Sequence, residues 1–461
     1  MRATTAFNRL LALESTTVQA VRLETTEIVV VVRLATRRLR CPDCDYTTSA
    51  TYDHRPSPSR WRHLDVCGRS LMLECDLRRL RCPAHGVRTQ AVPFARPGAR
   101  ITRQFENLIV WCASSMDWTA ASVLCRVAWR TVANVVERVV PSSTELSELD
   151  GLVHIGVDEI SWKRGHKYLT LVIDHDSGKV IWGAKDRTAV TLDAFFDDLG
   201  ETKTAAIKSV SMDFGAPYAK AVREKAPHAA ICLDPFHAVA LATKALDQTR
   251  RDTWRDMRGV DPDAARRFKG TRFVLLGNPE NLTENQAADL RRIQQGGGTI
   301  WKAYQLKEAL RGIYAEATLS LDESIDLLHA WIDAAQQSGI APFVKLASTF
   351  KQRSQEVINT WIWGTTNARN EGTHSAIRAV FSRAHGFHRA DTALAAINLT
   401  CGTTPSPTHT QQPPSHPQLH QENQIFSQAP KPRSHPNASS YELARCKLDQ
   451  LQAVFGGRNQ S

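Results

Sequence analysis

Three acidic side chains in separate parts of the sequence stand where carboxylates can bind metal ions. Asp158 ends a short apolar run that is predicted as a strand, Asp213 ends another, and Glu371 falls in a predicted helix. A carboxylate at the end of a buried strand is costly unless it has a partner. Three converging carboxylates can hold two Mg²⁺ or Mn²⁺ ions about 3.5–4 Å apart, one activating an attacking oxygen and the other stabilising a leaving oxygen.

Neighbouring acidic residues fit ordinary structural roles better. Asp174 and Asp176 lie beside Gly178 in a predicted tight turn, where aspartate is common. Glu159 follows Asp158 directly. It could assist the site, but the outward-facing position is favoured, because side chains alternate along a strand. The predicted metal site therefore consists of the three acids named first.

Two knuckles of cysteine and histidine in the first hundred residues have the spacing of a zinc site. Cys41-Pro-Asp-Cys44 and Cys82-Pro-Ala-His85 each place two ligands where one tetrahedral Zn²⁺ can bind both. Two knuckles with proline at the same place are unexpected of ordinary buried cysteines. A zinc ion would also contribute folding energy to this small region. The alternatives to His85 as the fourth ligand are Cys75, Cys67 and His63.

Arginine is dense around these knuckles, and its planar donor fork suits phosphate. A solvated charged surface is the alternative interpretation. Arginines beside a zinc module, with Trp61 among them, favour a nucleic-acid surface instead. The candidate DNA-contacting residues of this region are Arg62, Arg78, Arg79 and Arg81.

Residues 119–127 and 129–140 have the periodicity of two consecutive short helices. Arranged as a helix-turn-helix, the second helix would present Arg130, Thr131 and Asn134 to a major groove. Any two short amphipathic helices give a similar pattern. The prediction of a helix-turn-helix therefore depends on the predicted zinc module that precedes these helices.

From Gly151 onward the sequence changes to short apolar runs that are typical of strands. The predicted order is strand-strand-strand-helix-strand-helix-strand, which is the order of an α/β, RNase H-like core with a mixed five-stranded sheet. In such a sheet the strands that end in Asp158 and Asp213 are neighbours, so their carboxylates come together. The predicted strands are 152–157, 168–173, 180–183, 207–212 and 229–233, and the helices between them are 192–199 and 217–226.

The remaining sequence is mostly helical, followed by a tail of different composition. Eight of the 21 prolines lie between Pro405 and Pro436, which predicts a disordered tail with one terminal helix at 441–455. Residues 368–398 are again predicted to be helical. The predicted domains are a zinc-finger region at 1–100, the helix-turn-helix and a linker at 101–150, the RNase H-like domain at 151–400 with a helical insertion at about 235–350, and the tail at 401–461.

The composition is that of a globular protein with a basic surface. Of 461 residues, 42% are hydrophobic and 23% are charged, and the net charge is +11. That charge suits a polyanionic partner such as nucleic acid. No apolar run approaches the length of a membrane helix, and residues 10–13 are too few for a signal peptide. We therefore expect a cytoplasmic protein with reduced cysteines and no membrane partner.

In its ordered blocks the sequence resembles the ISL-three family of bacterial insertion-sequence transposases. The likeness covers roughly residues 6–402 and includes the two knuckles with Trp61-Arg62-His63-Leu64 between them, and the helical pair. The catalytic blocks that resemble the family are Gly156-Val157-Asp158-Glu159 with 168–174, Met212-Asp213 with Pro217-Tyr218, Asp234-Pro235-Phe236-His237, residues 367–372, and Arg383-Ala384-His385-Gly386-Phe387.

The resemblance implies a DDE transposase, in which Asp158, Asp213 and Glu371 form the catalytic triad and bind Mg²⁺ or Mn²⁺. It also implies that a helical insertion separates the second and third acids. Asp234 and His237 follow the last strand, where the histidine either contacts DNA or orients the active site. A purely structural pair is the alternative for these two residues.

The implied partner is double-stranded DNA, namely the element's terminal inverted repeats and the target DNA. The zinc finger and the helix-turn-helix would bind the repeats, and joining two ends implies at least a dimer. His85 stands where the family more usually has cysteine, and the tail differs from the family's ending. A decayed copy that only binds DNA, or a related nuclease, is the competing interpretation.

Overall fold

The computed structural model describes residues 2–140, 146, 149–165, 167–315, 319–364, 368–403, 445, 448 and 449. Residues 216 and 368–371 lie in helices, but their side chains are outside the description. Of the predicted tail at 401–461, with its predicted helix at 441–455, the structure describes only residues 401–403, 445, 448 and 449. The chain divides into two compact units, one drawn from residues 1–142 and 377–416 and the other from 143–376 and 417–461.

The first unit begins with a mixed sheet whose strands are ordered β1-β2-β7-β6. Strands β2 and β7 are parallel, and the two outer pairs are antiparallel. Fully buried Val30, Leu71 and Leu73 form its core, and Trp61 packs edge-on against Phe94 at 5.1 Å. The elements to this point are α1 (Ala3–Leu11), β1 (Thr16–Leu23), β2 (Glu27–Leu34), β3 (Leu39–Arg40), β4 (Thr47–Thr48), β5 (Asp53–His54), β6 (Ser59–Val66), β7 (Arg69–Cys75), β8 (Arg78–Cys82) and β9 (Gly86–Thr89).

Two very small sheets, β3-β4 and β5-β8-β9, carry the cysteine knuckles. Their apolar core is slight: Leu39 and Leu80 pack with Cys41 and Cys82, and Cys44 lies partly buried against them. So little buried apolar surface gives little stabilisation on its own. Other interactions must therefore contribute to the stability of this part of the fold.

Three helices follow, namely α2 (Arg103–Ser115), α3 (Trp118–Leu124) and α4 (Trp129–Val139). Asp117 caps α3 by accepting hydrogen bonds from the backbone N–H groups of Thr119 and Ala120, at 2.8 and 3.1 Å. Val132 and Val136 of α4 are fully buried, which leaves the opposite face of α4 toward solvent. The predicted helix-turn-helix is confirmed, with α3 shorter than expected.

The second unit is built on a five-stranded mixed sheet in the order β12-β11-β10-β13-β14. Strands β10, β13 and β14 are parallel to one another. Strand β11 pairs antiparallel with β10, and β12 pairs antiparallel with β11. This confirms the predicted RNase H-like strand order. The elements are β10 (His154–Lys163), β11 (Lys167–Asp174), β12 (Lys179–Lys185), α5 (Ala189–Leu199), α6 (Glu201–Thr204), β13 (Ser209–Met212), α7 (Ala216–Lys225) and β14 (Ala230–Leu233).

One sequence prediction about this sheet is wrong: Asp158 does not end its strand. Strand β10 continues to Lys163, because β11 keeps pairing with it as far as Lys167. The parallel pairing with the short strand β13 stops much earlier, at Gly156 opposite Ser211. Asp158 thus lies mid-strand, just beyond the end of the parallel pairing.

The insertion is a set of packed helices that follows β14. At its centre Trp331 is fully buried and donates its indole N–H to the carbonyl oxygen of Leu306 at 2.8 Å. Its helices are α8 (Pro235–Val260), α9 (Pro262–Lys269), α10 (Arg272–Leu276), α11 (Glu284–Gly296), α12 (Gly298–Ala315), α13 (Leu321–Gln337), α14 (Ala341–Gln352) and α15 (Ser354–Trp363). Two further helices follow the insertion, α16 (Ala368–Arg383) and α17 (Ala390–Cys401). Within the described residues, no helix is both long and apolar enough to cross a membrane.

The helical sequence predicted over 368–398 forms two helices, α16 and α17, with a short connection between them. His385 and Gly386 have φ values of +53° and +95°, which end α16. Helix α17 belongs to the first unit, where Arg389 pairs with Glu137 of α4 at 2.5 Å and Thr392 donates to the same carboxylate. The compact units therefore divide the chain differently from the predicted domains, whose boundaries stay a prediction.

We expect Glu106 to be essential for the stability of the first unit. Its carboxylate is fully buried and is shared between Arg96 and Arg138, which ties α2 to α4. Glu106→Gln keeps the volume but leaves two guanidinium groups without their counter-charge, a loss of about 3 kcal/mol in the free energy of unfolding. Urea denaturation followed by tryptophan fluorescence measures it.

The matched control is Glu24→Gln. Glu24 pairs with Arg22 at 4.0 Å, and both side chains are 49% exposed, so the same substitution costs less than about 1 kcal/mol. Equal unfolding midpoints for the two variants would contradict the importance of the buried pair.

Candidate metal centres

The sheet of the second unit brings Asp158 and Asp213 side by side. In the parallel register of β10 and β13, His154 lies opposite Ser209 and Gly156 opposite Ser211, so two residues further on Asp158 is level with Asp213. Adjacent strands are about 4.8 Å apart. Both side chains are partly buried, at 13% and 32% exposed. Two carboxylates this close repel each other unless positive charge lies between or beside them.

A histidine from α8 contacts the second of these carboxylates. Asp234 caps α8 by accepting from the backbone N–H of Phe236 at 3.0 Å, and one turn later His237 places its Nε2 2.5 Å from Oδ1 of Asp213. The same Nε2 lies 3.6 Å from Oδ2 of Asp234. Burial acts to lower the pKa of His237, but the hydrogen bond and charge of Asp213, with the charge of Asp234, raise it above its usual value. Asp234 and His237 thus adjoin the paired carboxylates.

A second histidine, from α16, contacts the first carboxylate. Nε2 of His374 pairs with Oδ2 of Asp158, whose Oδ1 accepts from the backbone N–H of Glu159 at 2.7 Å. The preceding residue, Thr373, donates its hydroxyl to the carbonyl oxygen of Gly178 at 2.7 Å and so fastens α16 to the turn between β11 and β12. The amino-terminal part of α16 is thereby held against the carboxylate site.

The third predicted acid, Glu371, is in α16, but its side chain lies outside the part of the chain that the structure describes. Its backbone is three residues before His374 on the same helix. Residues three apart lie on one helical face. The role of Glu371 therefore stays a prediction.

Glu159 does not face open solvent as expected. It is 23% exposed and pairs with Arg187 at 3.2 Å, and Arg187 in turn lies 4.0 Å from the centre of the Tyr168 ring. Burial raises the pKa of Glu159, and the charges of Asp213 and Asp158 add to that increase, while Arg187 acts against it. Glu159 thus adjoins the paired carboxylates on the other face of β10.

The donor set at this site fits a divalent cation. Asp158, Asp213 and His237 each offer one ligand atom, and these atoms lie within 4.8 Å of one another. Carboxylate oxygens are the ligands of Mg²⁺, and a carboxylate set with one imidazole also accepts Mn²⁺. Each carboxylate also contacts one imidazole, His237 on Asp213 and His374 on Asp158.

The four knuckle residues of the first unit also meet at one point. Sγ of Cys82 lies 3.6 Å from Sγ of Cys44 and 3.5 Å from Nδ1 of His85, and Sγ of Cys41 lies 3.9 Å from the same nitrogen. A tetrahedral zinc ion with bonds of about 2.0–2.3 Å separates its ligands by similar distances. Burial acts to raise the pKa of Cys82, but hydrogen bonds with His85 and with backbone N–H groups lower it to about 6. The thiolate that zinc binds is therefore favoured at neutral pH.

The three alternative ligands lie elsewhere. Cys75 is buried in the core of the β1-β2-β7-β6 sheet, and Cys67 is exposed. His63 is buried and shares a hydrogen bond of 2.8 Å with the hydroxyl of Thr102, and burial lowers its pKa to about 4. The geometry thus assembles His85, and none of the alternatives, with the cysteines of the two knuckles.

The predicted DNA-contacting residues differ in their exposure and in their partners within the protein. Arg62 pairs with Asp65 and lies over the ring of Phe105, and Arg79 is held by Asp53, so both guanidinium groups have acidic partners within the unit. The other members of the predicted set are exposed or half-buried: Arg78, Arg81, Arg130, Thr131 and Asn134. Whether any of them contacts DNA stays a prediction.

Sequence reasoning missed two features of these centres. His374 carried a signal, since it follows Glu371 by one helical turn, but a histidine in a helix has many structural explanations. The return of α17 to the first unit had no local signal, because its contact with α4 joins residues about 250 positions apart in the sequence.

Three models of protein families match segments of this chain. The family model described as "Transposase" matches residues 155–397, "zinc-finger of transposase IS204/IS1001/IS1096/IS1165" matches 37–85, and "Helix-turn-helix domain of transposase family ISL3" matches 90–140.

Individual relatives agree with this assignment. The transposase for insertion sequence element IS1557 of Mycobacterium tuberculosis is 37% identical over 382 residues, covering 78% of this chain and 85% of the relative. The transposase for insertion sequence element IS1001 of Bordetella parapertussis is 26% identical over 340 residues, covering 72% and 82%. With its zinc-finger segment, its helix-turn-helix and its paired carboxylates in an RNase H-like sheet, the chain belongs to the ISL3 family of insertion-sequence transposases.

Proposed function

We propose that this transposase cuts the phosphodiester bonds at the ends of its own insertion sequence and transfers the freed 3′ ends to target DNA at the carboxylate site. The observation that carries the proposal is the placement of Asp158 and Asp213 level with each other on parallel strands, with His237 close enough to share one metal ion. Asp158, Asp213 and Glu371 are the proposed metal-binding and catalytic residues. Glu371 is proposed because it lies one helical turn from His374, which contacts Asp158.

The bound divalent ions, Mg²⁺ or Mn²⁺, would supply activation of the attacking oxygen and stabilisation of the leaving oxygen. The chain's own part is to hold the carboxylates in place before DNA arrives. Asp158 is held by His374 and by the N–H of Glu159, and Asp213 by His237. A preorganised site needs little rearrangement at the moment of reaction. Water and a 3′-hydroxyl are equivalent nucleophiles for such a site, so one arrangement serves both cutting and joining.

The first unit is proposed to bind the terminal inverted repeats. Cys41, Cys44, Cys82 and His85 would hold one Zn²⁺, which stabilises the small sheets around them. Exposed Arg81 beside this cluster and exposed Arg130 and Asn134 on α4 would contact phosphates and base edges. Joining two ends of one element requires two active sites, so at least a dimer is expected on DNA.

Loss of one carboxylate should abolish chemistry and leave DNA binding. Asp213→Asn keeps the shape of the side chain and its contact with His237 but removes the charge that a divalent ion needs. With a labelled duplex that contains the element's terminal repeat, we expect cutting and joining with Mg²⁺ to fall at least a thousandfold, on the order of the loss of a key electrostatic group. Binding in a gel-shift assay should change less than about threefold, since Asp213 is not one of the proposed DNA-contacting residues.

The matched control is Asp197→Asn, which removes an exposed carboxylate of α5 that pairs with Lys225. Cutting by this variant should stay near the wild-type rate. If the wild-type protein binds the duplex and never cuts it, the chain is a DNA-binding protein only. If it cuts unrelated duplexes equally well and joins nothing, it is a nuclease.

Zinc content should follow the knuckle cysteines. Cys44→Ser removes one thiolate ligand, so the purified variant should contain less than half the zinc of the wild type by elemental analysis and should lose repeat binding. Cys67→Ser replaces an exposed cysteine outside the cluster and should leave one zinc ion per chain. Equal zinc content in the two variants would contradict the proposed ligand set.

A further inference from the structure

Helix α8 carries a row of polar and basic side chains that begins at the carboxylate site. Counting from His237, this row occupies positions seven, eleven, fourteen, eighteen and twenty-one residues further along the helix. Positions with this heptad spacing lie on one face of a helix and drift by only about 20° per heptad. The row, which we call the α8 row, consists of Lys244, Gln248, Arg251, Arg255 and Arg258, all of them exposed.

The rotation of α8 is fixed by its other face. Ala238, Ala242 and Leu246 are completely buried in the core of the second unit. His237 meets Asp213 at the first turn of the helix. The α8 row therefore faces solvent in a fixed direction relative to the carboxylate site. The row and the site both lie within the second unit.

The length of the α8 row matches a duplex. At 1.5 Å per residue, about 10 Å of helix separates His237 from Lys244 and about 31 Å separates it from Arg258. One turn of B-DNA measures about 34–36 Å. A duplex whose scissile phosphate lies at the carboxylates can thus run beside α8 for most of a turn.

The charge balance around the α8 row favours phosphate. Residues 244–272 contain nine basic and five acidic residues. Arg251 pairs with Asp247 at 2.5 Å and Arg255 with Asp252 at 3.1 Å, which is what a solvated helical face also shows. The guanidinium carbon of Arg258 instead lies 5.5 Å from the centre of the Trp254 ring, and Nζ of Lys269 lies 6.0 Å from the same ring centre. The excess of positive charge, and its alignment with His237, favour a surface that binds a polyanion over a face that is only solvated.

We propose that the α8 row binds the phosphate backbone of the duplex that flanks the cleaved bond and guides it into the carboxylate site. This proposal rests on the proposed function, since it presumes that DNA is the substrate of that site. The contacts are with phosphates, so they are independent of base sequence. The α8 row adds a second DNA surface, in the catalytic unit, to the one proposed in the first unit.

The salt dependence of binding tests this proposal in the full-length protein. Lys244→Gln with Arg258→Gln removes two charges at the two ends of the α8 row. Each lost phosphate contact lowers the slope of log affinity against log salt by about 1, so we expect a slope about 2 smaller on a terminal-repeat duplex. Affinity for an unrelated duplex should fall by the same factor. The matched control is Arg291→Gln with Arg292→Gln, an exposed pair on α11, whose slope should equal that of the wild type.

Neutral methylphosphonate links, placed one at a time beside the cut position, locate the contact. Where Lys244 binds, a neutral link should weaken wild-type binding but should weaken Lys244→Gln binding no further. An unchanged slope in the double variant, or equal weakening of both proteins at every link, overturns the proposal. Thermal unfolding of each variant checks that the fold is intact. Cutting by the wild-type protein is measured in the same samples, so a failure of the α8 row is distinguishable from a failure of the proposed function.

Discussion

Two like charges held side by side constrain the whole second unit. The parallel pairing of β10 with β13 makes Asp158 and Asp213 level with each other, and at a spacing of about 5 Å their repulsion requires compensation. Each carboxylate contacts one imidazole, His237 on Asp213 and His374 on Asp158. These come from helices more than a hundred residues apart, so the positions of α8 and α16 are tied to the sheet through the site itself.

The helical insertion begins at this site. Helix α8 starts at the site, where Asp234 caps it, and runs for 26 residues away from the sheet. A helix of that length needs an apolar partner along one face, and α12 and α14 pack against it around residues such as Leu306 and Phe343. Packing one face leaves the other exposed in a fixed direction, which is why the face that begins with His237 continues as the α8 row.

The first unit relies on a different source of order. Its larger sheet has an ordinary apolar core, but the two small sheets that carry the knuckles bury few apolar side chains. The ligand atoms of Cys41, Cys44, Cys82 and His85 lie within 4.8 Å of one another there, and a bound zinc ion would contribute folding energy to such a region. The helix-turn-helix is held instead by the buried carboxylate of Glu106 between two arginines, and by α17, which packs on α4.

The sequence alone determined the strand order, the two knuckles and the pairing of Asp158 with Asp213, because these depend on local apolar runs and on short fixed spacings. It misplaced the end of β10, since that end is decided by β11 and not by the apolar run. Tertiary structure alone decided that Arg62 and Arg79 pair with aspartates and that α17 joins the first unit. It also decided that His374 contacts the carboxylate site and that the α8 row faces solvent. The physical reason is common to all of these: the direction of a side chain on a helix or strand is set by the partner that buries the opposite face, and those partners are distant in the sequence.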